Sequence, residues 1–261
     1  MAQGSRNSGI WRAQGYQGPA VVWLTGACTS SMDAARVLIR NKWMGPWSSV
    51  LALQQTAGRG RRKRFWISPP GNIYGTWYWP FTADNERLFQ YRPVASLLAG
   101  DILASVFSEI GVDVRIKWPN DIVWNNRKLC GILVEEKDGH VCVGIGVNLV
   151  SAPDESRMEN DVLPPVCLDP GGASVSPLAF WTRLMESGRQ RLEHVTRSMH
   201  PEQFLNDLES RLAWMGREIR VYRDGEAPYE ATLAGLDPDG GLKVVRKGNT
   251  EVIYTATIRP A

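Results

Sequence analysis

Residues 55–66, Gln-Thr-Ala-Gly-Arg-Gly-Arg-Arg-Lys-Arg-Phe-Trp, constrain the fold of this chain more than any other stretch. They follow directly on Ser49–Gln55, an apolar run of strand length that delivers Gln55 and the basic stretch at its end. A loop leaving a strand terminus is a normal place for a binding site on a rigid scaffold. Arg59, Arg61, Arg62, Lys63 and Arg64 concentrate positive charge beside Gly58 and Gly60. Those glycines are expected to take φ > 0 and let the loop close over an anion such as a phosphate. The same composition suits a solvated basic turn or a nucleic-acid contact patch. Net charge is only +3 over 261 residues, so the positive charge is local, which favours a small anionic ligand over a polyanion lying across a broad face.

Residues 1–19 are polar and glycine-rich and read as a flexible leader without the apolar centre of a signal peptide. No apolar run approaches the roughly 18 residues of a membrane helix, so the chain reads as cytoplasmic. Cys28, Cys130, Cys142 and Cys167 show no C-x-x-C spacing and read as buried thiols of a reducing compartment. His140, His194 and His200 are scattered, and no histidine pattern offers a metal site.

Strands are expected at 20–24, 49–55 and 72–79, with a helix starting near Ser30, where Ser30 or Ser31 can cap its free N–H groups. Apolar residues at helical spacing predict a helix over 91–110, ended by Gly111. Short strands follow at 114–118 and 121–124, then a hairpin of 130–136 and 141–149 across Asp138-Gly139. Residues 151–176 read as an irregular flap or insert, and helices are expected from 178 to 199 and from 201 to 213, each with proline in its first turn. Four short strands beyond Gly216 suggest a small β-barrel, so the domains read as 20–213 and 214–261. There is neither G-x-x-x-x-G-K-[ST] nor a G-x-G-x-x-G after a strand, which argues against the common nucleotide folds.

A second motif stands downstream: Lys117-Trp118-Pro119-Asn120-Asp121, then Lys128-Leu129-Cys130-Gly131-Ile132-Leu133-Val134-Glu135, and later Gly144-Ile145-Gly146-Val147-Asn148. With the 58–66 loop and Thr29–Asp33, these resemble the biotin protein ligases, and the likeness covers nearly everything past residue 20. The resemblance implies an α+β fold, a mixed β-sheet flanked by helices like that of class II aminoacyl-tRNA synthetases, with an SH3-like C-terminal barrel. It implies activation of biotin by ATP to biotinyl-5′-AMP and transfer to a lysine of a biotin carboxyl carrier protein, with Mg²⁺ screening the departing pyrophosphate. It leaves room for a homodimer. The leader is too short for the DNA-binding domain of the repressor-type members, so a monofunctional ligase without nucleic-acid partners is expected.

Carried over residue by residue, the resemblance places Ser30, Ser31, Met32, Gln55, Arg59, Gly60, Arg61, Lys128 and Gly131 around biotin. Arg61, Arg64, Trp66, Lys117, Asn120, Lys128 and Asn148 fall to ATP, with Trp66 stacking the adenine. Arg59, Arg61 and Lys128 would cancel charge, and Asp121 would orient or deprotonate the acceptor amine. The departure is Lys63, where the family loop has glycine; Lys63 is expected to keep an ordinary backbone conformation. Competing readings are a lipoate-type ligase of the same fold, against which the loop argues, and a nucleic-acid or biotin-binding module without catalysis.

Overall fold

The computed structural model describes residues 10–12, 21–82, 84–157, 162–169 and 175–261. An eight-stranded mixed sheet is formed by β1 (Ile10–Arg12), β2 (Val22–Cys28), β3 (Ser49–Gln55), β4 (Ile73–Trp79), β5 (Arg115–Lys117), β6 (Asp121–Trp124), β7 (Arg127–Lys137) and β8 (His140–Val147). Their order is β1-β2-β3-β4-β8-β7-β6-β5; β2 and β3 run parallel, and the other neighbouring pairs are antiparallel.

Period-two alternation assigns the two faces of the sheet. Val50, Tyr78 and Cys142 pack with Met32, Ala35 and Leu38 of helix α1 (Ser31–Arg40). Their neighbours Leu51, Trp77, Trp79, Val141 and Val143 point the other way, into the main core. That face is covered by α3 (Ala95–Glu109), buried nearly all round, and by α4 (Pro177–Ser198). Two short helices, α2 (Glu86–Phe89) and α5 (Pro201–Leu208), complete this layer.

A separate antiparallel sheet follows, of β9 (Glu218–Tyr222), β10 (Tyr229–Leu236), β11 (Leu242–Arg246), β12 (Asn249–Ile253) and β13 (Thr257–Pro260) in the order β12-β11-β10-β9-β13. It is barrel-like and docks on the first unit: Trp118 Nε1 donates to Gly240 O at 2.9 Å, and Leu236 N donates to Glu209 Oε1 at 2.8 Å.

Several expectations need correction. Ile10–Arg12 of the supposed leader pair antiparallel with β2; the rest of residues 1–19 lies outside the described residues. The first long strand is Val22–Cys28, not 20–24, because its pairing with β3 carries it on to Cys28. The 91–110 helix begins only at Ala95, and the 201–213 helix gives way at Leu208 to a 3₁₀ turn over Glu209–Arg211. Residues 163–169 are no free flap: Leu163 is buried, Lys128 N donates to Pro164 O, and Leu168 N donates to Asn148 O. Residues 158–161 and 170–174 of that stretch lie outside the described residues. The cysteines are free, with Cys130 and Cys142 buried but Cys28 and Cys167 only half-buried. No helix among the described residues is long and apolar enough to cross a membrane.

Candidate active site

Every residue that the resemblance assigns to biotin, ATP or catalysis lines a single cavity of about 360 Å³ on the α1 face of the large sheet. One part of its wall is neutral. Ser30 Oγ accepts from Asp33 N at 3.1 Å and caps α1. Ser31, one residue on, is freed from capping: its hydroxyl lies 2.9 Å from Thr76 Oγ1, and its N–H donates to Gln55 Oε1 at 2.8 Å. Gln55 Nε2 in turn donates to Ser68 Oγ at 3.0 Å. Thr76 and Ser68 were not singled out from the sequence; Thr76 had a weak signal, an isolated hydroxyl inside an aromatic strand. Met32 leans towards Gly144, where a Cβ would come within 3.0 Å of its Cε.

The second part is charged. Asp121 is buried, with Lys117 Nζ 2.8 Å from Oδ2 and Lys128 Nζ 2.7 Å from Oδ1. Burial alone would raise the pKa of such a carboxyl, but the two ammonium groups outweigh it and hold Asp121 well below the usual carboxylate range. Desolvation pushes Lys117 down despite its partner. Asp121 is therefore a weak base, better suited to orienting a cation than to taking its proton.

A regular strand could not make this arrangement. Residues 128 and 131 are three apart, so a uniform pleat would put Lys128 and Gly131 on opposite faces. The β6–β7 register shifts between Ile122 and Val123, pairing Ile122 with Cys130 but Val123 with Lys128. This β-bulge returns Lys128 to the face of Gly131, where its Cε would lie 3.5 Å from a Cβ built on that glycine. Residues 164–166 grip Lys128 on its other side, since Val166 N donates to Lys128 O at 2.9 Å. Asn148, also buried, directs its side-chain amide to the same carbonyl at 3.4 Å.

Residues 58–66 form a short hairpin over the cavity: Gly60 N donates to Arg64 O at 2.8 Å and Trp66 N to Gly58 O at 2.9 Å. Its strain does not fall on glycine. Gly60 is extended, φ −116° and ψ −176°, and the left-handed residue is Arg62, φ 54°, in the 3₁₀ turn Arg61–Lys63. Gly58 is needed for closeness, because a Cβ there would meet Trp66 O at 2.5 Å and Ser68 Oγ at 2.8 Å. Arg61 Nη1 donates to Asn120 Oδ1 at 3.3 Å, a neutral partner that leaves its charge uncancelled, while Asn120 Nδ2 ties back to Ile132 O. Arg62 reaches Asp224 in the β9–β10 turn at 3.4 Å. Arg59 points away from the charged part: Nη1 and Nη2 clasp Asp33 Oδ2 and Oδ1 at 2.9 and 2.8 Å. Asp33 was not expected in this role.

Trp66 lies on a seat made by glycines. Gly131 and Gly146 are cross-strand partners on β7 and β8, and a Cβ on either would come within 2.6–2.7 Å of the indole. The Lys128 ammonium stands 5.2 Å from the ring centroid. The lining thus carries six cations, Arg59, Arg61, Arg62, Arg64, Lys117 and Lys128, against one carboxylate, Asp121. Both oxygens of that carboxylate face lysines. No cluster of three His, Cys, Asp or Glu that could hold a metal ion exists among the described residues.

Residues 26–148 match the biotin/lipoate A/B protein ligase family. A biotin--[acetyl-CoA-carboxylase] ligase of Paracoccus denitrificans is 33% identical over 221 residues, covering 80% of this chain and 88% of its own. A biotin protein ligase of Aquifex aeolicus, solved with biotin and ATP, superposes with TM-score 0.66 at 20% identity over 93% of this chain and 99% of its own. The ligase of Leishmania major in complex with biotinyl-5-AMP gives 0.58 at 25% identity over 91% of this chain and 100% of its own. Loop, lysine pair, glycine seat and relatives agree, and the chain belongs to the biotin protein ligase family.

Proposed function

We propose that the cavity performs both half-reactions of ATP-dependent biotin ligation: biotin to biotinyl-5′-AMP with release of pyrophosphate, then transfer to a lysine of a biotin carboxyl carrier domain. The observation that carries this reading is the lining itself: Arg61, Arg64, Lys117 and Lys128 with one neutralised carboxylate, Asp121, beside a neutral wall of hydroxyl and amide groups. A triphosphate and a carboxylate need the first; a cyclic urea, polar but uncharged, needs the second.

Biotin's carboxylate is ionised at neutral pH, so attack on the α-phosphorus requires no base, only relief of anion–anion repulsion. Arg61 and Lys128 supply that relief, with Lys117 and Arg64 behind them. Preorganised cations aimed at developing charge are among the largest catalytic terms. Ser31, Gln55 and Thr76 orient the urea head, Met32 and Gly144 flank the apolar chain, and Trp66 offers its indole to the adenine. Asn120 positions Arg61, and Asn148 helps hold the backbone of Lys128. Mg²⁺ would be carried by the nucleotide phosphates, whose departing charge it would screen. The hairpin lid keeps water from the mixed anhydride.

In the second half-reaction the acceptor amine arrives protonated, with a reference pKa of about 10.4. It sheds that proton to solvent, its lone pair then attacks the anhydride carbonyl and AMP departs, while Asp121, with both oxygens on lysines, holds Lys117 and Lys128 in place beside the leaving phosphate. Free thiols and use of ATP fit a cytoplasmic protein. The test is mass spectrometry of a carrier domain incubated with the protein, biotin and ATP, reading the mass of one biotinyl group. Absence of that mass, together with no biotin-dependent pyrophosphate release, refutes the proposal.

A further inference from the structure

Two acidic residues of the family motifs have no part in this chemistry: Asp33, which closes Thr29–Asp33, and Glu135, which closes the strand motif beginning at Lys128. Both converge on Arg59. Its guanidinium is bidentate on Asp33, and its Nε stands 3.7 Å from Glu135 Oε1. Thr29 Oγ1 donates to Asp33 Oδ2 at 3.1 Å, and Arg36 pairs with Glu135 from the next turn of α1. Two positive and two negative side chains thus join helix, strand and lid.

The strand face explains why the place matters. Gly131, Leu133 and Glu135 alternate onto one side of β7. Gly131 seats Trp66, Glu135 meets Arg59, and Leu133 between them lines the cavity. Arg59 and Phe65 face each other across the hairpin neck, so the side chains of Arg59 and Trp66 straddle Leu133. Four residues of strand span about 13 Å, and the neck is therefore pinned at both ends of the cavity roof.

We infer that Asp33 and Glu135 are positioning residues that act through Arg59 to hold the lid shut over biotinyl-5′-AMP, so that Arg59 serves the latch and not the charge of the reacting groups. This rests on the ligase reading above. A bidentate charge-assisted pair is directional. At about one-third exposure it is also weak enough to open within a catalytic cycle.

The experiment loads the full chain with biotin and ATP, removes free ligand, and follows escape of biotinyl-5′-AMP by rapid filtration, alongside single-turnover pyrophosphate release. Asp33→Asn and Arg59→Lys, which keeps the charge but loses the fork, are each expected to speed escape about tenfold. Formation should slow by less than escape quickens. The double variant should escape no faster than the quicker single one, because both remove the same clasp. Glu135→Gln carries the test if Asp33→Asn does not fold, with escape quickened about threefold. Unchanged escape in these variants, or additive effects in the double, overturns the latch while leaving the ligase reading intact. A parent chain that forms no adenylate overturns both.

Discussion

Gly146→Ala should weaken ATP binding while sparing the fold. A Cβ at this position would stand 2.6, 2.7 and 2.8 Å from Cε2, Cζ2 and Nε1 of Trp66, against the 3.5–4.0 Å of a normal carbon contact. The indole must rise by about 1 Å, and forcing such overlap typically costs ~1–3 kcal/mol. Trp66 belongs to the lid and is only half-buried, so the overlap can be relieved by lifting the hairpin off the sheet. The cost then appears in closure over the nucleotide, a loss of about 5- to 150-fold in apparent affinity. Tm should fall by no more than a few degrees. The assay is KM for ATP in biotin-dependent pyrophosphate release, with a melting curve beside it. Gly144→Ala is the control within the same motif: its Cβ would be tight only against the mobile end of Met32, at 3.0 Å, with Leu133 O at an ordinary 3.4 Å, and should disturb ATP little. An unchanged KM for ATP in Gly146→Ala would refute the seat. Equal effects of the two alanines would show that the motif tolerates no side chain for some other reason.

Lys128→Ala removes a cation 2.7 Å from Asp121 and should cut the rate of adenylate formation by about 10²–10³ while the chain stays folded, as circular dichroism would report; near-normal formation would remove Lys128 from the mechanism. Asp121→Asn leaves two ammonium groups facing each other in a buried site and should cost ~3–5 kcal/mol at pH 7 in urea melts. The pH dependence follows from the sign of the shift: the folded pKa lies below the unfolded one, so the carboxylate's contribution is complete above pH ~4 and fades as pH falls further. The gap between parent and variant should therefore be flat from pH 5 to 8 and narrow only in strong acid; narrowing between pH 6 and 5 would show that Asp121 is not held ionised. Lys63→Gly should keep adenylation within a few fold, because the left-handed residue of the turn is Arg62; abolished adenylation would make Lys63 a catalytic cation.

Much of this protein could be read locally. Apolar runs and helical apolar spacing announce β3, β4, β8, α3 and α4, because the burial of each leaves its pattern within its own few residues. The cap at Ser30, the C-terminal stop at Gly111, which takes φ 77°, and the Asp138-Gly139 hairpin depend on neighbours a few residues away. The basic loop and the residues around the cavity were also legible, since each lies within a short run whose chemistry is local. What the chain could not show along its length is who stands opposite whom. Gly131 and Gly146 are fifteen positions apart, and only the antiparallel register of β7 and β8 makes them one seat for Trp66. The bulge between Ile122 and Val123, and with it the direction of Lys128, depends on β6 pairing across a turn. Residues 163–169 looked irregular because their hydrogen bonds go to Lys128, Asn148 and Leu149 and not to one another. Arg59 read as one more cation of a basic loop until α1 and β7 brought Asp33 and Glu135 to it. Propensity and capping are properties of a few adjacent residues, whereas cross-strand register and ion pairing are set by packing between segments distant in sequence, and for those the tertiary structure was decisive.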